Sequence, residues 1–183
     1  MHILNNRPPL IGFAAWSGTG KTTLLEQLIP LLRNQGLQIG VIKHAHHDFD
    51  IDHEGKDSYK LRKAGAVDTI VASGKRWALI HENDSLDNGY NKPEPDLWEL
   101  VDVLKNHSLD MILIEGFKHE SFPRIEVHRR ELNKPLLYPD DKEIIAIATD
   151  SGDEITHPIK ILDINKPAEI VTFILQHLSL QPE

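Results

Sequence analysis

One short stretch of this chain has the residue types and spacing to hold phosphate. In GFAAWSGTGKTTLLEQLI, an apolar run gives way to Ser17, Gly18, Thr19, Gly20, Lys21, Thr22 and Thr23, and a helical pattern follows. Phosphate binding in such a loop needs bare backbone N–H groups curled round the phosphate oxygens. It also needs a glycine that lets the chain approach and a lysine that reaches the terminal phosphates. Gly20 and Lys21 stand at those two places. Thr22 offers a hydroxyl to Mg²⁺, and the start of the helix adds the positive end of its dipole. Ala15 occupies the place usually given to a first glycine, where alanine is tolerated as long as its φ stays negative.

A phosphate loop of this kind needs an acid on a neighbouring strand to hold Mg²⁺ or its waters. MILIEG supplies Glu115 at the C-terminal end of an apolar strand, where ligand crevices open in such sheets. Asp110 lies at the other end of that strand, ~15 Å away at the strand rise, too far to share the site. The segment KHAHHDFDIDHEGKDSY leaves a second predicted strand on the same rim. In an extended chain its Asp48, Asp50 and Asp52 share one side, with Phe49 and Ile51 as apolar anchors on the other. These aspartates, Asp52 foremost, are candidates to meet Mg²⁺ directly or through water. An EF-hand fails here, because His53 stands where glycine is needed and Tyr59 where the last carboxylate belongs. His44, His46, His47 and His53 could bind a transition metal or an anion, or belong to a solvated loop. Asn165-Lys166-Pro167 begins like a guanine-reading motif but places Ala168 where the acid should be. Asp150, after the apolar IAIAT, is the better candidate to accept from a purine's ring N–H and amine.

The elements that must position these groups alternate between strand and helix. LIGFAA reads as a buried strand. Leu24, Leu25, Leu28, Ile29 and Leu32 recur at helical spacing, with Pro30 expected to kink the helix and Gly36 to end it. LQIGVIKHA is a second buried strand, which completes a right-handed βαβ unit with parallel strands. A short helix follows, capped by Asp57 or Ser58 and closed by Gly65. AVDTIVA and RWALIH flank Ser73-Gly74-Lys75 as a β-hairpin. A helix over 97–105, strands at MILIEG, RIEVHR and EIIAIATD, and a closing helix over 167–178 complete the pattern. The expected fold is α/β, a P-loop NTPase with a mostly parallel sheet flanked by helices. It forms a single domain over 1–183 with an appended β-hairpin extension around 66–82. The hairpin's open edges invite pairing, so a symmetric homodimer is expected.

Composition removes several classes of function. No apolar run reaches the ~18–20 residues of a membrane span, and the N-terminus lacks the charged start and long apolar stretch of a signal peptide. With no cysteine, disulfides, thiolate metal sites and a cysteine nucleophile are excluded, and a cytoplasmic location is expected. A formal net charge of −8 argues against broad nucleic-acid binding, which needs clustered Lys and Arg.

Taken with GTGKTTL, the runs KHAHHDFDIDHEGKDSYKLRKAGA and ILIEGFK resemble the molybdopterin-guanine dinucleotide biosynthesis protein B (MobB) family, strongly over residues 9–118. The resemblance implies a GTP-binding protein in which residues 17–23 hold the phosphates and Thr22 and Glu115 flank Mg²⁺. It also implies that residues 43–58, with Lys43, His46, His47, Asp48, Asp50, Lys56 and Asp57, form a partner or substrate rim. The expected role is an adapter with weak GTPase activity that assists a molybdopterin guanylyltransferase in attaching GMP to molybdopterin during molybdenum cofactor biosynthesis. Molybdopterin itself is a further ligand this role allows. GTP preference rests on the resemblance, since the Asn-Lys-x-Asp motif is incomplete. Two rivals use the same residues: a metallochaperone-type GTPase whose histidines carry a transition metal, and a small-molecule kinase built on the same loop.

Overall fold

The computed structural model describes residues 7–45, 49–83, 94–152, 155 and 158–180. The chain divides into two compact units, residues 1–44 with 96–183 and residues 45–95.

The first unit is built on a six-stranded sheet. In chain order its elements are β1 (Leu10–Ala14), α1 (Lys21–Arg33), β2 (Ile39–Lys43), α3 (Leu97–Leu104), β5 (Met111–Glu115), β6 (Arg124–His128), a 3₁₀ turn (Arg130–Leu132), β7 (Ile144–Thr149), β8 (Lys160–Asp163) and α4 (Pro167–His177). Strand order is β2-β5-β1-β6-β7-β8, and every pairing is parallel. A parallel sheet is covered on both faces, which is why β1, β5 and β7 read as apolar runs rather than alternating ones. Successive residues of β5 go to opposite cores. Met111 and Leu113 join Leu24, Leu28, Leu32, Ile170 and Ile174 from α1 and α4, while Ile112 and Ile114 join Leu97 and Val101 from α3. α1 continues through Pro30 to Arg33, and Gly36, at φ +84°, closes the turn beyond it. Asp110 accepts from the Gln38 amide at 2.6 Å, at the N-terminal edge of the sheet and away from the loop.

The second unit contains α2 (Asp57–Lys63) and the antiparallel pair β3 (Asp68–Ala72) and β4 (Trp77–His81). The hairpin is therefore a separate two-stranded sheet. α2 begins one residue earlier than a cap at Asp57 would place it. Lys56 takes the capping position without a side-chain bond, Asp57 starts the helix and pairs with Lys60, and Ser58 donates instead to Asp52 Oδ1 at 3.0 Å. Arg62, only 8% exposed, organises this unit. Its guanidinium donates to both oxygens of Asp50 at 2.9 and 3.0 Å and to Glu82, and Asp52 Oδ2 lies 3.8 Å from its Nε. Asp50 and Asp52 thus share a side, as alternation predicts. Phe49 and Ile51, expected as anchors, are exposed. The hairpin also exposes Ile70, Val71 and Trp77.

Gly12 marks where the first unit tolerates no added atom. A Cβ there would stand 2.3 Å from Phe122 Cε2 and 3.1 Å from Arg124 Cγ, on a strand with neighbours on both sides. Gly12→Ala should destabilise the protein by about 1–3 kcal/mol through overpacking, read as a lower urea midpoint. An unchanged midpoint would mean that Phe122 moves aside freely.

Candidate functional site

All six strands of the first unit are parallel, so their C-terminal ends share one rim, and the phosphate-type loop emerges there between β1 and α1. Gly18 and Gly20 both take left-handed backbone conformations, at φ +80° and +91°, which only glycine adopts at little cost. A Cβ at either position would meet nothing within 4 Å, so these glycines are required by backbone conformation, and the space beside them is open. Ala15 is not among the described non-glycine residues with positive φ, so it meets the condition for replacing a glycine. Gly20 caps α1 with no side-chain hydrogen bond, and the first turn carries no acid. A helix start without a side-chain partner for its N–H groups is suited to an anion. Ser17, Thr22 and Thr23 are exposed beside it, and Thr19 is buried. The Thr19 hydroxyl donates to the Trp16 carbonyl at 2.6 Å, which closes the turn of the loop.

Lys21 is half-buried. Burial lowers its pKa, Glu115 opposes that effect, and Lys118 and Lys43 add to it. Glu115, Lys118 and Lys43 therefore all lie within electrostatic reach of Lys21. Sheet register explains the placing, since Glu115 is opposite Phe13 of β1 on one side and Lys43 of β2 on the other. Lys43 Nζ lies 3.4 Å from Glu115 Oε2, and the carboxylate is only 16% exposed. Lys21, with two further ammonium groups and one carboxylate within electrostatic reach, leaves net positive charge at the loop, which favours a polyanionic ligand. The oxygen donors of Thr22 and Glu115 fit Mg²⁺, which prefers hard oxygen ligands and completes its shell with phosphate oxygens and waters. Gly116, at φ +101°, makes room for His44, whose Cβ would lie 2.5 Å from an added Cβ. His44 in turn packs on Phe117 with ring centroids 5.1 Å apart.

Asp150 follows β7 on the same rim. Its Oδ2 accepts from Arg129 Nη1 and its Oδ1 from the Arg130 amide, each at 3.2 Å. Burial would raise its pKa, but these bonds outweigh burial and hold it below the ordinary value. Any purine contact would use the lone pairs that these bonds leave. Asp50, Asp52, Lys56 and Asp57 belong to the second unit, where Arg62 fixes the first two. His46, His47 and Asp48 lie outside the described residues. Among the described residues no group of three or more His, Asp or Glu side chains is arranged to hold a metal ion. No described helix is long and apolar enough to cross a membrane.

Besides Arg62 of the second unit, two buried ionic residues of the first unit carry no signal in the sequence motifs. Arg124, 3% exposed, donates to the carbonyls of Phe117 (3.0 Å) and Glu120 and pairs with Asp141 at 3.3 Å. Glu126, 1% exposed, accepts from the amides of Leu137 and Tyr138 at 2.8 and 2.9 Å. Burial raises the Glu126 pKa, and the two amide bonds oppose that shift. Charges within apolar strand runs carried the only available signal.

The electrostatic coupling at Lys21 has a measurable consequence. Glu115 is the one group in the cluster that raises the Lys21 pKa, so Glu115→Gln should move Lys21 titration to lower pH. Side-chain nitrogen NMR of Lys21 would read the shift, and an unmoved titration would separate the two residues.

Comparison with known proteins agrees with this architecture. The family model for molybdopterin guanine dinucleotide synthesis protein B (MobB) matches residues 10–150. The molybdopterin-guanine dinucleotide biosynthesis adapter protein of Escherichia coli (strain K12) is 45% identical, with 94% of this chain and 95% of that protein covered. The Haemophilus influenzae adapter protein is 41% identical, with 94% and 90% covered. A crystal structure of molybdopterin-guanine biosynthesis protein B superposes with a TM-score of 0.71 at 26% identity, with 93% of this chain and 99% of that chain covered.

Proposed function

The chain belongs to the MobB family, and from that premise we propose that it is a GTP-binding adapter in molybdenum cofactor biosynthesis, assisting a guanylyltransferase that attaches GMP to molybdopterin. One observation carries the nucleotide half of this reading. A helix start with no side-chain cap lies behind two left-handed glycines, with Lys21 set among Lys43, Lys118 and Glu115. In the proposed site the N–H groups of residues 17–23 surround the phosphates, Lys21 meets the terminal ones, and Thr22 and Glu115 flank Mg²⁺. The metal would neutralise charge between the phosphates. Asp150 is the proposed base contact. The adapter half is supported by likeness to the Escherichia coli adapter protein across nearly the whole of both chains.

The second unit supplies the proposed assembly and partner surfaces. Its hairpin pairs only with itself among the described residues and exposes Ile70, Val71 and Trp77, features that support a symmetric homodimer through this ribbon. The rim, with Lys56, Asp57 and the Arg62-held Asp50 and Asp52, is the proposed surface for the guanylyltransferase or for molybdopterin. The proposed location is the cytoplasm, and the proposed intrinsic turnover of GTP is slow.

Reconstitution tests both halves. Lys21→Ala should abolish GTP binding with the fold intact, because Lys21 acts as a point-charge ligand. Asp52→Asn or Lys56→Ala should reduce guanylylated cofactor made with the partner enzyme more than it reduces GTP affinity. Efficient GMP transfer by the protein alone would overturn the adapter reading, and GTP affinity surviving Lys21→Ala would overturn the site.

Sedimentation provides the assembly test. A dimer is expected at micromolar concentration, with Ile70→Asp and Trp77→Asp shifting the protein toward monomer. A wild-type monomer, with and without GTP, would remove the homodimer.

A further inference from the structure

Trp16 is the second residue of the phosphate-type loop, and it is 40% exposed, so burial alone does not hold it. Polar contacts fix it at both ends. Its indole Nε1 donates to the Pro135 carbonyl at 2.8 Å, and the Lys134 ammonium stands 5.8 Å from its ring centroid. Its own carbonyl accepts from the Thr19 hydroxyl at 2.6 Å and the Thr19 amide at 3.4 Å. The crossover it reaches, residues 129–143, joins β6 to β7 without an α-helix and is tied near its ends, by Asp150 to Arg129 and the Arg130 amide and by Arg124 to Asp141, which leaves its middle to be held. Glu126 holds that middle through the amides of Leu137 and Tyr138. His128 Nε2 adds a contact at 3.2 Å to the Lys134 carbonyl. Glu126 is also the strand partner of Ala14, the residue from which the loop departs. The contacts therefore close a ring: out of β1 through Ala15 and Trp16, across to Pro135, along to Leu137 and Tyr138, and back through Glu126 to Ala14.

We propose that Trp16 and Glu126 are positioning residues of the nucleotide site, bracing the phosphate loop against the β6–β7 crossover so that it is already in its binding shape when GTP arrives. The proposal rests on the nucleotide reading above and gives that site a support outside its own motif. A loop ordered in advance loses less conformational freedom on binding, which appears as affinity. The coupling is reciprocal, so a ligand that favours the braced loop must also tighten the crossover.

The test uses the full chain and GTP. Trp16→Phe keeps the ring and removes the donor, and loss of one hydrogen bond of this kind should weaken GTP binding about three- to tenfold. The urea midpoint should stay close to wild type, because the bond lies at the surface. Hydrogen exchange supplies a readout that a merely structural role would not move. GTP should slow exchange at the Leu137 and Tyr138 amides in wild type and fail to do so in Trp16→Phe. Glu126→Gln should show the same affinity loss if it folds, and Trp16→Phe decides the matter if it does not. Wild-type GTP affinity in Trp16→Phe, or amide exchange at 137 and 138 indifferent to GTP in wild type, would overturn the brace and leave the phosphate site standing. A wild-type protein that binds no GTP would remove the site and the brace together.

Discussion

Burial of both faces of a parallel sheet is the constraint from which the rest of the first unit follows. With α1 and α4 on one face and α3 on the other, β1 and β5 are lined by Ile11, Phe13, Met111, Ile112, Leu113 and Ile114. Ionised side chains cannot enter those faces without a partner, because desolvating an unpaired charge costs several kcal/mol or more. Charged chemistry is therefore confined to the strand ends. Because all six strands point the same way, their C-terminal ends deliver Lys43, Glu115, His128 and Thr149 to one rim beside the loop after Ala14. The two exceptions within the sheet obey the same rule. Arg124 and Glu126 are buried on β6, and each is surrounded by backbone partners or an opposite charge.

The rim's electrostatics run against those of the whole molecule. A chain of net charge −8 gathers three ammonium groups, Lys21, Lys43 and Lys118, and one carboxylate, Glu115, at one loop. Long-range repulsion of an anion by the acidic surface is screened within about 10 Å at ordinary ionic strength, while partly buried charges are screened much less. The local cluster therefore decides whether phosphate is welcome there. Glu115 keeps the cluster from being a plain stack of like charges, since its field favours the protonated form of a lysine that burial alone disfavours.

The main elements of this arrangement were legible because they rest on local rules. Glycines at φ +80° and +91° are announced by Gly18 and Gly20, and parallel strands by unbroken apolar runs. The hairpin is announced by turn residues between two β-rich runs, and β3 and β4 pair antiparallel there. β8 was not read. Its four residues, Lys-Ile-Leu-Asp, are polar at both ends because it is a short edge strand, and a pattern that short has no clear period. The contacts of Arg62, Trp16 and Glu126 were hidden for a different reason. Each joins residues beyond the reach of a helical or strand period, 11 positions apart for Glu126 and Leu137 and 119 for Trp16 and Pro135, and no periodic signal encodes such a meeting. Ser58 shows the two kinds of rule in competition. As a residue with a strong capping preference it was a natural choice to start α2, yet its hydroxyl serves Asp52 beside the buried Arg62.

Ala15 shows how these local and distant rules combine. A glycine at the start of the loop would widen its conformational range, and that freedom must be given up whenever the loop takes one shape. Alanine narrows the range in advance, at no steric cost where φ is not positive. The left-handed turns that the loop does require fall to Gly18 and Gly20, where a Cβ would meet open space but the backbone would resist. Freedom is thus restricted to the two positions whose geometry demands it. Trp16, next to Ala15, is tied outward to Pro135 and inward to Thr19. A loop narrowed by alanine and held at its tryptophan depends less on ligand contacts to find its shape than a glycine-opened loop would. In an adapter such a loop suits holding a nucleotide in place while a partner works, because its order does not wait on turnover.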